Sequence, residues 1–131
     1  MLSKPAISIV DDDHSVREAT VGLMRAMGFI AKAFPSAQEF LQSSRMQLTT
    51  CLIADVRMPT MNGLELYARL VAAGRPIPTI LMTAFPDERL RAQALNSGVI
   101  RFLTKPFSEE ELLAGINAAV ERKPLSPVWA D

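Results

Sequence analysis

A chain of 131 residues with 14 Lys+Arg against 14 Asp+Glu has room for one domain with a sizeable core, and no basic excess to recruit nucleic acid. Its single cysteine excludes a disulfide framework, and no apolar run approaches the roughly 18 residues of a membrane span or forms the h-region of a signal peptide. A soluble cytoplasmic protein acting through local sites is expected, with Cys51 a buried, inert thiol.

Ala6–Val10 is a short apolar run that ends abruptly in Asp11-Asp12-Asp13, which predicts a strand with carboxylates at its C-terminal tip. Val16, Ala19, Leu23 and Met27 then recur at helical spacing, with Asp13 or Ser15 as N-cap and Gly28 past the end. Residues 29–34 read as a second strand. Ser36 and Glu39 form a capping box, with Pro35 and Phe40 as a staple, opening a short helix that reaches about Ser44. The stretch 51–63 organises the chain. Cys51, Leu52, Ile53 and Ala54 climb to one carboxylate, Asp55, and then break into a loop containing Pro59 and Gly63, so a buried strand delivers Asp55 to its tip. Asn62 and Glu65 form the capping box of a helix that buries Leu66 and Leu70 and stops at Gly74.

Thr79–Thr83 is a fourth strand, ending on a hydroxyl. The next helix takes Pro86 at its first position and Asp87 and Glu88 as complements to the helix dipole, and Gly98 closes it. Residues 99–104 form a fifth strand ending at Lys105-Pro106. Ser108 and Glu111 box the last helix, Phe107 and Leu112 staple it, and Leu112, Ile116, Ala119 and Val120 supply its apolar face. One domain over residues 1–123 is expected, followed by a Pro-containing linker or tail at 124–131.

Five β-α units in strict alternation predict an α/β fold, a flavodoxin-like doubly wound parallel sheet with strand order 2-1-3-4-5. That order sets the tips of strands one and three side by side at the switch point, where ligands bind in such sheets. Asp11, Asp12 and Asp55 then share one mouth with Thr83 and Lys105. Clustered carboxylates call for protonation or a cation, and oxygen-only ligands suit Mg²⁺, with Mn²⁺ as a substitute. A carboxylate beside a hard cation, an ammonium and a hydroxyl is equipped for phosphoryl transfer.

On Val10-Asp11-Asp12, Asp55 with Met58-Pro59 and Gly63, Thr83-Ala84 and Lys105-Pro106-Phe107, the chain resembles the response-regulator receiver domains of bacterial two-component signalling. Asp55-Val56-Arg57-Met58-Pro59 and Phe102 are similar to the FixJ-like branch. The resemblance implies that Asp55 accepts phosphate from a sensor histidine kinase. It implies that Asp12 binds Mg²⁺ directly, Asp11 mainly through water, and Arg57 through its backbone carbonyl. It makes Thr83 and Phe102 a switch pair, Lys105 the phosphate clamp and the Lys105-Pro106 bond cis, and it points to control of an output domain or partner protein, with transcription as the readout. The fourth helix, fifth strand and fifth helix carry Arg89, Arg91 and Arg101 with Glu109, Glu110 and Glu111, a two-signed face suited to a phosphorylation-dependent homodimer.

Two other classes compete. Asp11-Asp12-Asp13-His14-Ser15 fits Asp-x-Asp-x-Ser, as in haloacid-dehalogenase-type phosphohydrolases, which would make Asp11 the nucleophile. A flavodoxin-like FMN binder would want a Ser/Thr/Gly-rich phosphate loop where this chain has three acids. His14 lacks the His or Cys partners of a metal site and reads as a solvated first-turn residue. Phe85 departs from the small or polar residues often found two past the strand-four hydroxyl and is expected to narrow access to Asp55.

Overall fold

The run Cys51–Asp55 is buried along its whole length, which only a central strand covered on both faces allows. In the computed structural model, which describes residues 4–121, it is the middle one of five parallel strands. They are β1 (Ala6–Val10), β2 (Ile30–Phe34), β3 (Cys51–Asp55), β4 (Thr79–Thr83) and β5 (Arg101–Thr104), in the order β2-β1-β3-β4-β5. Between and after them run α1 (His14–Ala26), α2 (Ala37–Gln42), α3 (Gly63–Ala72), α4 (Glu88–Ser97) and α5 (Glu109–Glu121). The fold is the flavodoxin-like doubly wound sheet.

Strand side chains alternate between faces, and the core divides accordingly. Leu52, Ala54, Leu81 and Phe102 pack with Phe40, Leu66 and Leu70, from α2 and α3. Cys51, Ile53, Ile80 and Met82 pack on the other face with Met24, Leu112 and Ile116, from α1 and α5. Gly63 opens α3 hard against the sheet: a Cβ there would lie 2.6 Å from the Asp55 carbonyl oxygen and 2.9 Å from a Leu81 methyl. Asn62 and Glu65 form the full reciprocal capping box just before it.

Several local expectations shift. The N-cap of α1 is Asp13, which accepts the Val16 N–H; the buried stripe of this helix is Thr20 and Met24, and Ala19 is exposed. The staple partner of Phe40 is Phe34, edge-to-face at 5.4 Å, while Pro35 is exposed. After α2 a 3-10 turn at Ser44–Leu48 carries the chain to β3. Pro86 lies before α4 rather than in its first turn, because Asp87 caps that helix by accepting the Arg89 and Leu90 N–H groups. Strand β5 starts at Arg101: Val99 still donates its N–H to Ala94 across the left-handed Gly98 and so belongs to the helix exit. Val120 is 42% exposed, and the fourth buried position of α5 is Gly115, close against Ile80. Ser108 and Glu111 form both bonds of their box. The expected tail from Pro124 lies outside the described residues.

Candidate functional site

Every strand of this sheet points its C-terminal end the same way, so the residues that close β1, β3 and β4, and the one just past β5, gather at one edge. Asp11 follows β1 and is fully buried. Its Oδ1 accepts the Asp13 N–H at 2.9 Å, and its Oδ2 faces the Lys105 ammonium at 3.2 Å. Asp55 ends β3, and its Oδ1 lies 3.7 Å from the same ammonium. The exposed Asp12 brings a third carboxylate. One oxygen from each of Asp11, Asp12 and Asp55 lies within 4.8 Å of the others.

The electrostatics follow from this crowding. Burial pushes the Asp55 carboxyl above the ordinary range. Lys105 and the Arg57 backbone N–H bonded to it pull the other way, while Asp11 and Asp12 push it further up. Three carboxylates facing one ammonium leave a negative mouth, and three hard oxygens at this spacing fit a Mg²⁺ ion that keeps part of its water. Receiver domains bind Mg²⁺ at such an acidic cluster. A cavity of about 140 Å³ adjoins Asp12, between Pro35, Ser36, Met58 and Pro59, so the site is open on the α2 side.

Asp11, Asp12, Asp55 and Lys105 are therefore brought together. The Lys105 backbone is set by its N–H donating to the Thr83 carbonyl at 2.8 Å, and the following bond, Lys105-Pro106, is cis. Thr83 is fully buried at the tip of β4, but its hydroxyl is turned to its own turn, donating to the Phe85 carbonyl at 3.2 Å and accepting the Phe85 N–H at 3.1 Å. Phe102 sits in the core rather than in the mouth, one strand over, opposite Leu81. His14 is exposed, 3.7 Å from Glu18.

Four features escaped the sequence. Arg17 donates to the Asp11 carbonyl at 2.8 Å and braces the acidic turn; its position four past the N-cap Asp13 is the signal that could have found it. Arg91 donates to the Phe102 carbonyl at 2.9 Å, tying α4 to β5. Thr60 holds φ 70°, a left-handed conformation that a β-branched residue rarely adopts. The Arg57 guanidinium lies over the Phe85 ring, 5.0 Å from its centroid.

The geometry disfavours Asp11 as a nucleophile. One of its oxygens holds the turn, the other holds Lys105, and Asp13 of the Asp-x-Asp-x-Ser string is spent capping α1. Comparison with known proteins agrees. The family described as "Response regulator receiver domain" matches residues 7–117. The response regulator protein TmoT of Ectopseudomonas mendocina is 42% identical over 118 residues, 90% of this chain and 54% of that protein. The transcriptional regulatory protein FixJ of Bradyrhizobium diazoefficiens is 35% identical over 122 residues, 93% of this chain and 60% of that protein. Among solved structures, the crystal structure of FixJ-N superposes with a TM-score of 0.84 at 30% identity, covering 94% of this chain and 98% of that one. The chain thus spans little more than half the length of these two regulators.

Proposed function

This chain belongs to the response regulator receiver domain family and works in two-component signalling, and from that premise we propose that Asp55 is its phosphoacceptor, charged by a sensor histidine kinase. The observation that carries the reading is the Lys105 ammonium between Asp11 and Asp55 at the sheet's C-terminal edge. A carboxylate oxygen of Asp55 attacks the phosphorus of the kinase phosphohistidine; the P–N bond breaks, and its electrons leave with the imidazole, which takes a proton from solvent. Asp11, Asp12 and Asp55, with the Arg57 carbonyl, would hold Mg²⁺, which would supply charge neutralisation for the phosphoryl oxygens. Lys105 is already aimed at the Asp55 oxygen and needs little movement to clamp the group transferred there. Thr83 bonds a phosphoryl oxygen after releasing Phe85, and Phe102 packs inward into the space it leaves. Water later removes the group, so the chain catalyses its own phosphorylation and dephosphorylation and no metabolic turnover.

The switched form acts on an output domain or partner protein, with transcription as the readout, in the cytoplasm. This domain itself binds neither nucleic acid nor membrane in that reading. Incubation with acetyl phosphate and Mg²⁺, followed by intact mass, tests it. One added phosphoryl group is expected in the wild type, none in Asp55→Asn or in excess EDTA, and partial labelling in Asp11→Asn. Labelling of Asp55→Asn that matches wild type would move the acceptor elsewhere.

A further inference from the structure

The side chains of Arg57 and Phe85 have no part in the chemistry above, yet they meet across the mouth of the site. The 5.0 Å separation of guanidinium carbon and ring centroid is within cation–π range. Each residue belongs to a loop whose backbone holds a functional group. The Arg57 N–H donates to the Asp55 carboxylate, and the Phe85 N–H and carbonyl both engage the Thr83 hydroxyl. The Phe85 residue is 62% exposed, so the core supplies little of what positions its ring.

We propose that Arg57 is a positioning residue for the switch: by stacking on Phe85 it holds the turn after β4 in the form that keeps the Thr83 hydroxyl away from Asp55. This rests on Thr83 turning to the phosphoryl group, as proposed above. A hydroxyl has one proton, so Thr83 cannot donate to a phosphoryl oxygen and to the Phe85 carbonyl together. Its rotation also strips the Phe85 N–H of its acceptor. Both bonds that tie Phe85 to Thr83 are then lost, and with the residue 62% exposed little else holds its ring over the guanidinium. The stack is therefore made in the resting form and lost in the switched one, and only such a differential contact shifts an equilibrium. An exposed cation–π pair corresponds to about two- to fivefold in the equilibrium constant.

Beryllofluoride, a phosphoryl mimic, titrated by NMR into the Mg²⁺-saturated protein, tests the proposal. Phe85→Leu keeps bulk and charge but removes the ring face. Its apparent Kd for beryllofluoride should fall about two- to fivefold, with the Kd for Mg²⁺ alone unchanged, and Phe85→Tyr should match wild type. Arg57→Gln added to Phe85→Leu should bring no further tightening. Equal or weaker beryllofluoride binding by Phe85→Leu overturns the proposal. So does an Arg57→Gln effect of the same size with and without the ring, which would make Arg57 a through-space charge. Wild-type protein that binds no beryllofluoride, or Asp55→Asn that binds it normally, would instead sink the phosphoacceptor reading beneath it.

Discussion

In its proposed role Asp55 works against its own surroundings, because the burial that would shield a phosphoryl group from water also penalises the charged carboxylate. Its folded pKa stands above the unfolded one, so the folded chain holds this proton more tightly. The stability from that proton is present in acid, below the unfolded value near 4, and is lost as pH rises through the folded pKa. Asp55→Asn, neutral and nearly isosteric, should therefore stabilise the metal-free protein near pH 7.5, seen as a higher Tm, and the gap should narrow as pH falls. Thermal melts in EDTA between about pH 8 and 5 check this; a wild type more stable than Asp55→Asn at the alkaline end contradicts it. Strain at Thr60 gives a second residue-scale expectation. Left-handed backbone costs a β-branched residue about 1–2 kcal/mol and Asn much less, so Thr60→Asn should raise stability by about 0.5–1 kcal/mol in urea unfolding with an unchanged m value.

Glycines separate the elements that tolerate change from those that carry the site. Gly63 lets α3 press against the Asp55 carbonyl, and a Cβ there meets backbone, which cannot step aside as a side-chain tip can. Gly63→Ala should destabilise by about 1–3 kcal/mol and slow acetyl phosphate labelling, since the strand that displaces is the one holding Asp55, the proposed acceptor. Gly22 lies exposed inside α1 with nothing within 4 Å of its missing Cβ, so Gly22→Ala should stabilise by about 0.5–1 kcal/mol with labelling unaffected. If the two substitutions changed labelling equally, the close approach at Gly63 would not be what aligns the site. The elements legible in the sequence were those whose signals are local. Strands β1, β3 and β4 begin and end where apolar runs meet acids, prolines or Thr83, and the boxes at Asn62 and Ser108 mark their helices. Asp87 was harder to place, because Pro86-Asp87-Glu88 fits a cap at either of two registers and only the hydrogen bonds decide between them. The faces of α1 and α5 depended on what lies opposite, which periodicity does not carry: Thr20 is buried by bonding back to the Val16 carbonyl, and Gly115 by Ile80.

At the scale of the whole molecule, strict β-α alternation sufficed for the topology and hence for bringing Asp11, Asp55 and Lys105 to one edge, since parallel strands leave few ways to wind. The Thr83–Phe85 bond and the Arg57–Phe85 stack were not legible, because they are choices of side-chain direction within loops. The same limit applies to the face formed by α4, β5 and α5. Arg89, Arg91, Arg101, Glu109, Glu110 and Glu111 are all exposed there, but Arg91 is already committed to the Phe102 carbonyl. Arg101 donates to the carbonyl of its chain neighbour Ile100 at 2.9 Å, a local bond, and in the proposed homodimer it and Arg89 would set register against the three glutamates of a second copy, in an isologous contact in which each copy offers both signs. Exposed ion pairs contribute only about 0–1 kcal/mol each, so the association must come chiefly from apolar area, for which Leu95 on α4 and Val120 on α5 are partly exposed already. Movement of α4 relative to β5 would have to break the Arg91–Phe102 bond, which makes that bond a brake on the face as well as part of it. The expected behaviour is a monomer that dimerises weakly with beryllofluoride, more readily in Arg91→Ala, and at least severalfold less readily in Arg101→Glu, which sets an acid against the glutamates. Sedimentation across micromolar to millimolar protein, with and without beryllofluoride, reads all three. A monomer throughout would hand the output to a different partner, and a dimer indifferent to Arg101→Glu would place the interface on another surface.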